Sequence, residues 1–147
     1  MTLKRLVSKD RGSELLEFAM VLPLLLIMVA AIVDFAFLFQ AYGVVSNAAV
    51  EGSRLASLPG YTDTDAENRV ASYISSANLP GAVSTAVTTQ LVTPGTGPAF
   101  TGVRVDVTYT HQFSFLGPMM GLFGYTFGSN VNFTVSSVMR PEVAVAP

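Results

Sequence analysis

The feature that most limits what this chain can become is one run, Phe18 to Phe39, reading FAMVLPLLLIMVAAIVDFAFLF: 22 residues with a single charge at Asp34. As a helix rising 1.5 Å per residue it measures about 33 Å, enough to cross a hydrocarbon core of about 30 Å. A secretory signal has a shorter apolar core, about 7 to 15 residues, and ends at a small-residue cleavage site. The run here is longer, has no good A-x-A site, and continues into helix-compatible sequence. It reads as a retained anchor. Four cations, Lys4, Arg5, Lys9 and Arg11, precede it and few follow, so the positive-inside rule keeps the N-terminus in the cytoplasm and sends residues beyond about 40 outward.

Composition sharpens this division. The chain is 50% hydrophobic and 12% charged over 147 residues, too apolar for an ordinary soluble domain or a disordered segment. Its net charge of -2 hides a basic tip: the four cations against Asp10 give +3 in the first twelve residues and leave -5 for the rest. The remaining cations, Arg54, Arg69, Arg104 and Arg140, are too widely spaced to form a nucleic-acid surface. Cysteine is absent, which removes disulfides, thiolate metal sites and a thiol nucleophile.

Beyond Phe39 no helix breaker occurs until Pro59 apart from Gly43 and Gly52, and Ala41, Val45, Ala48, Gly52 and Ala56 recur at three- or four-residue spacing. This stripe of small side chains lets another helix or the domain's own sheet approach closely, with Glu51 and Arg54 as an i, i+3 pair beside it. Counted from Ser13 to Ser57 the helix is about 67 Å long, so half of it stands outside the bilayer as a stalk. Leu58-Pro59-Gly60 stops it. Thr64-Asp65-Ala66-Glu67 then has the form of a capping box, and Ala66, Val70, Tyr73, Ile74 and Ala77 share a face, predicting a second helix over 64–77 that ends at Asn78-Leu79-Pro80-Gly81.

Three strand patterns follow. In 83–92 the residues Val83, Val87 and Leu91 share a face; Val103, Val105, Val107, Tyr109, His111 and Phe113 alternate with polar residues; Val131, Phe133, Val135 and Met139 do the same. The fold class is α+β: a long N-terminal transmembrane helix continuing into a stalk, a short helix, and a small antiparallel sheet of about three strands with one face covered by the helices. The domain divisions are 1–12 as leader, 13–57 as span and stalk, and 58–147 as outer domain. The segment 114–128, SFLGPMMGLFGYTFG, is too apolar for a plain solvent loop. It either folds over the sheet edge or exposes a surface that meets another subunit or the membrane.

Catalytic chemistry is missing from the inventory. His111 is the only histidine, placed on a strand's apolar face, and no nucleophile triad, paired-histidine metal motif or carboxylate cluster stands near it. The G-x-G in Pro94–Pro98 lacks a strand-to-helix context and a following lysine, so no nucleotide site is read there. Asn132-Phe133-Thr134 has the form of a glycosylation sequon but lies inside a strand. The expectation is a protein that is not an enzyme and has neither cofactor nor metal.

Arg11-Gly12-Ser13-Glu14-Leu15-Leu16-Glu17-Phe18 is a basic leader ending in Gly, then four residues, then a Glu-Phe pair opening the apolar run. It resembles a class III signal, the leader that prepilin peptidase cuts after Gly on the cytoplasmic side. The resemblance implies cleavage between Gly12 and Ser13 and places Glu17 fifth in the mature chain. A carboxylate at the start of a span is costly unless partnered, so Glu17 either pairs with the α-amino group of a neighbouring subunit, fixing axial stagger, or rests at headgroup level beside a helix N-terminus. Pro23 removes a backbone hydrogen bond, either kinking the helix or sitting as a tolerated proline. Asp34, about 24 Å beyond Phe18, is either solvated at the interface or paired with another subunit.

The stretch Gly12–Ala56 is similar to the TadE-like pseudopilins, minor pilin-like subunits of tight-adherence (Tad/Flp) pili. Glu17-Phe18, Leu22-Pro23-Leu24, Asp34-Phe35 and the run from Asn47-Ala48-Ala49 to Glu51-Gly52-Ser53-Arg54 fall in that family's order, with looser likeness through Met139-Arg140. Bulky Leu15-Leu16 depart from the family's small residues and bear on peptidase efficiency. The resemblance implies a bacterial inner-membrane precursor, single-pass, whose partners are prepilin peptidase, other pilin and pseudopilin subunits, the inner-membrane assembly platform and the bilayer, with assembly into a Tad-type pilus for adhesion. Glu17, Phe18 and Asp34 are the assembly residues it implies. An uncleaved single-pass protein whose outer β-rich domain binds a ligand or an envelope component is the other reading.

Overall fold

The computed structural model describes residues 7–79, 81–92, 98–125, 128 and 130–142, with side chains from Gly12 onward. Lys4, Arg5, the side chains of Lys9 and Arg11, Pro80 and the Pro94–Gly97 part of the G-x-G loop lie outside them. The element order is α1 (Val7–Ala56), α2 (Asp63–Ser76), β1 (Gly81–Val92), β2 (Phe100–Gln112), α3 (Leu116–Gly121) and β3 (Asn130–Met139). The strands form one antiparallel sheet in the order β1-β2-β3. This is the expected α+β class, with α3 added.

Contacts divide the chain into two units: Met1–Ala36 with Phe113–Ser129, and Phe37–Gln112 with Asn130–Pro147. The cut falls inside α1, between Ala36 and Phe37. Its cause is the change in side-chain character along the helix. Up to Phe39 the apolar residues surround α1 on all sides, and Leu15, Phe18, Met20, Leu24 and Phe39 are all exposed, the pattern of a helix meant for a fully apolar surround. From Ala41 onward a stripe through Ala41, Val45, Ala48 and Ala49 is buried, while Tyr42 and Val50 on other sides stay exposed.

That stripe builds the core of the second unit. Ala41, Val45, Ala48 and Ala49 of α1, Val70 and Ile74 of α2, and Val105, Val107 and Tyr109 of β2 form one buried cluster. Each fully buried valine contributes up to about 1.5–3 kcal/mol through surface removed from water. Gly52 shows how closely the elements approach: a Cβ there would stand 2.5 Å from Val70 Cγ2 and 3.4 Å from Val105 Cγ1. The expected stalk is therefore a core helix on the sheet. A part-buried hydroxyl contact joins them, Ser53 Oγ to Ser137 Oγ at 2.8 Å.

Register explains why one sheet face is apolar. Val107 opposes Thr85 and Val135, and Tyr109 opposes Val83 and Phe133, so the odd-numbered residues of all three strands share the covered side. His111 is buried on that side with its ring 6.4 Å from Tyr109, and burial pushes the Tyr109 phenol above its ordinary pKa. On the outer side Ser136 and Arg104 hydrogen-bond Asp106. The Ser136 hydroxyl first, then Arg104, lowers the Asp106 carboxyl despite some burial.

Two local expectations shift. The α2 cap is Thr62, not Thr64: its hydroxyl accepts from Asp65 N–H at 3.3 Å, while the Asp65 carboxylate accepts from Thr62 N–H at 2.8 Å. Both threonines have an acid three residues on, and the chain starts its helix at the first. The ion pair of Glu51 is with Arg69 of α2 at 3.8 Å rather than with Arg54. Chain reversals follow the breakers, with Gly60 at φ +88° after α1 and Asn78 at φ 52° after α2.

Candidate functional site

The N-terminal locus is a helical ridge. The backbone of α1 is helical from Val7 through Gly12 and onward, so the Gly12-Ser13 junction, where the sequence predicts the end of a leader, lies within the helix and not before it. Gly12, Ser13, Glu14 and Glu17 are all exposed, and a Cβ placed on Gly12 would meet nothing within 4 Å. A helix-interior glycine costs about 1 kcal/mol relative to alanine, so Gly12 locally weakens α1. Glu17 and Phe18 are exposed next to one another at the start of the apolar surface. α1 runs continuously through Pro23, which is half-buried.

Asp34 is the one charged residue of the apolar run, and it is only 1% exposed. Its carboxylate accepts four hydrogen bonds from three backbone amides: Ser114 N–H to Oδ1 at 3.1 Å, Phe115 N–H to Oδ1 at 3.2 Å and Oδ2 at 3.0 Å, and Leu116 N–H to Oδ2 at 2.6 Å. These amides lead into the first turn of α3, where helix N–H groups have no partner of their own. A carboxylate there answers both needs, since it is hydrogen-bonded and sits at the positive end of a helix. Beside it Phe35 and Phe113 meet edge to face with ring centroids 6.0 Å apart, and Leu116 is buried.

This changes the place of Asp34. Sequence reasoning set it at the solvated interface or against a neighbouring subunit; its carboxylate is instead engaged within its own chain, across about 80 residues of sequence. Glu17 and Asp34 stand about 26 Å apart along α1 and are not brought together. The partners of Asp34 were missed because they are backbone amides, which no side-chain motif advertises. The available signal was the pairing of one intramembrane acid with one unusually apolar loop.

The arrangement offers an exposed apolar helix and a loop anchored to it by Asp34. Among the described residues no three His, Asp or Glu side chains are grouped to hold a metal ion. The segment Gly12–Ala56 is one helix long and apolar enough to cross a membrane, with a mean hydropathy of 2.7 in its span window.

The model of the TadE-like protein family matches residues 12–54. The match opens at Gly12, directly after the basic N-terminal residues, and closes at Arg54, just short of the end of α1; the sheet lies beyond it. No curated protein and no solved structure matches the chain.

Proposed function

From the TadE-like character of residues 12–54 we propose that the chain is the precursor of a minor pseudopilin of a Tad-type pilus, cut after Gly12 by a prepilin peptidase. The observation that carries this reading is that the match begins at Gly12, where leader charge gives way to an exposed helix. Cleavage discards the +3 leader, exposes the α-amino group of Ser13 and keeps the apolar helix. The new amine then pairs with Glu17 of a neighbouring subunit, which sets the stagger between helices. Phe18 and the exposed apolar side chains that follow pack against those neighbours or against lipid.

In this reading the precursor sits in the bacterial inner membrane with its N-terminus in the cytoplasm and its sheet outside, held there by the cations before the span. Other pilins, pseudopilins and the assembly platform are its partners. The protein acts by joining or priming the fibre that mediates adhesion, not by catalysis.

Glu17→Ala tests the pairing step. The variant is expected to be cut normally and to stay in the membrane fraction, with its amount in sheared pili strongly reduced relative to the unsubstituted chain. Unchanged incorporation would contradict the pairing.

A further inference from the structure

The segment Phe113–Tyr125 contains no charged residue, and its apolar side chains are left uncovered: Leu122 is 81% exposed, Tyr125 65% and Phe123 47%. A water-facing loop gains nothing from such a surface. The segment belongs to the same compact unit as the apolar part of α1, and Asp34 fixes its position there. Asp34 lies 16 residues beyond Phe18, about 24 Å along the helix, which is inside a hydrocarbon layer of about 30 Å and close to its far edge.

Backbone hydrogen bonding points the same way. Lipid-facing irregular chain is excluded from the hydrocarbon centre, so a segment of this kind can seat only at the headgroup–acyl boundary, with its amides satisfied largely by the protein. The amides of Ser114, Phe115 and Leu116 go to Asp34. Those of Met119, Leu122, Phe123, Gly124 and Tyr125 go to carbonyls of the segment itself, and Pro118 has none to satisfy. An exposed aqueous loop can leave these groups to water.

We propose that Phe113–Tyr125 is a second membrane-seated element, its apolar side chains dipping into the headgroup–acyl boundary beside α1 at the far edge of the span and held at that depth by Asp34. The occupant of its apolar surface is lipid acyl chain. Asp34 on this account is a buried lock that allows a loop to enter the leaflet, and Tyr125 supplies an amphipathic ring at the interface. The proposal rests on the membrane reading of α1.

The chain contains no tryptophan, so a single introduced indole reports its own surroundings. Leu122→Trp and, separately, Phe123→Trp are made in the full chain, with Leu24→Trp as a reference inside the span. Each is reconstituted in phosphatidylcholine vesicles with and without brominated acyl chains. The expected result is blue-shifted emission at positions 122 and 123, quenched by brominated lipid to an extent comparable with position 24. Water-like, unquenched emission at 122 and 123 with quenching at 24 overturns the proposal while leaving the span intact. Blue-shifted but unquenched emission that reverts on dilution into excess lipid assigns the surface to a second copy and also overturns it. Absence of quenching at all three positions removes the span itself, and the proposal with it.

Discussion

The two units of this molecule solve the problem of burial in opposite ways. In the unit built from Phe37–Gln112 and Asn130–Pro147, small residues of α1 bring helix and sheet together until Gly52 leaves no room for a methyl group. Polar contacts there lie mostly at the surface, such as the α2 capping box, the Glu51–Arg69 pair and the Arg104–Asp106–Ser136 group, with a part-buried Ser53–Ser137 contact. In the other unit large apolar side chains stay exposed, and the tertiary contact rests on a buried carboxylate accepting backbone amides. The first arrangement suits water outside and hydrocarbon inside. The second suits the reverse, because a well-made polar lock is most valuable where no water can replace it.

Substitutions that strike one unit and spare the other test this contrast. The largest effect is expected from Tyr109→Ala. Tyr109 is fully buried in the sheet unit's core, and truncating a core aromatic costs about 3–5 kcal/mol. Thermal unfolding of the purified chain in detergent should show the corresponding drop, while hydrogen exchange at Ser114, Phe115 and Leu116 keeps its local protection. Equal deprotection of those amides would break the comparison.

Asp34→Ala is the converse experiment. The Leu116 amide is buried, and leaving it without a partner costs about 1–3 kcal/mol, so exchange there should accelerate by one or more orders of magnitude, with a smaller rise at the part-buried Ser114 and Phe115 amides, while β2 exchange stays unchanged. Asp34→Asn retains one carbonyl acceptor and should fall between the two. Unaltered protection in Asp34→Ala would show that the carboxylate is not what holds the segment.

The smallest effect belongs to the α2 cap. Thr62→Ala should cost about 1 kcal/mol, a typical loss for an N-cap. The Thr62 backbone N–H, and after it the Thr62 hydroxyl, hold the Asp65 carboxyl below its usual range. A lowered carboxylate pKa contributes stability that is present above the ordinary carboxylate range and lost as pH falls through the lowered value. Melting temperature followed from neutral to acid pH should therefore decline, with Thr62→Ala flattening part of that slope. Asp106 contributes in the same direction through Ser136, so the slope is reduced and not abolished.

How far these features could be read from residues depended on the range of the interaction. β2 was plain because Val103, Val105, Val107 and Tyr109 alternate with polar residues, and that period follows directly from strand geometry. The small-residue stripe of α1 was readable for the same reason, from helical spacing alone. β1 begins at Gly81, before its expected start at 83, because Gly81 and Ala82 have almost no side chain to reveal a face; their pairing with His111 and Thr110 defines the strand. Glu51 chose Arg69 over Arg54, a partner that only the packing of two helices supplies. α3 was hidden altogether. Its six residues include Gly117 and Pro118, which suggest a turn, and its first amides are capped by a residue about 80 positions away.

Of the sites, Gly12, Ser13, Glu17 and Phe18 lie exposed on a helix that begins at Val7, before the expected start at Ser13. Asp34 was recognised as unusual and given the wrong kind of neighbour, since the cost of an intramembrane acid predicts a partner without saying which one.

The central claim, that the chain is a prepilin-type precursor, is tested most directly by sequencing the N-terminus of the protein recovered from cells with an active prepilin peptidase. The account predicts Ser13 as the first residue. A chain that still begins at Met1 under those conditions would contradict it and leave an uncleaved single-pass membrane protein in its place.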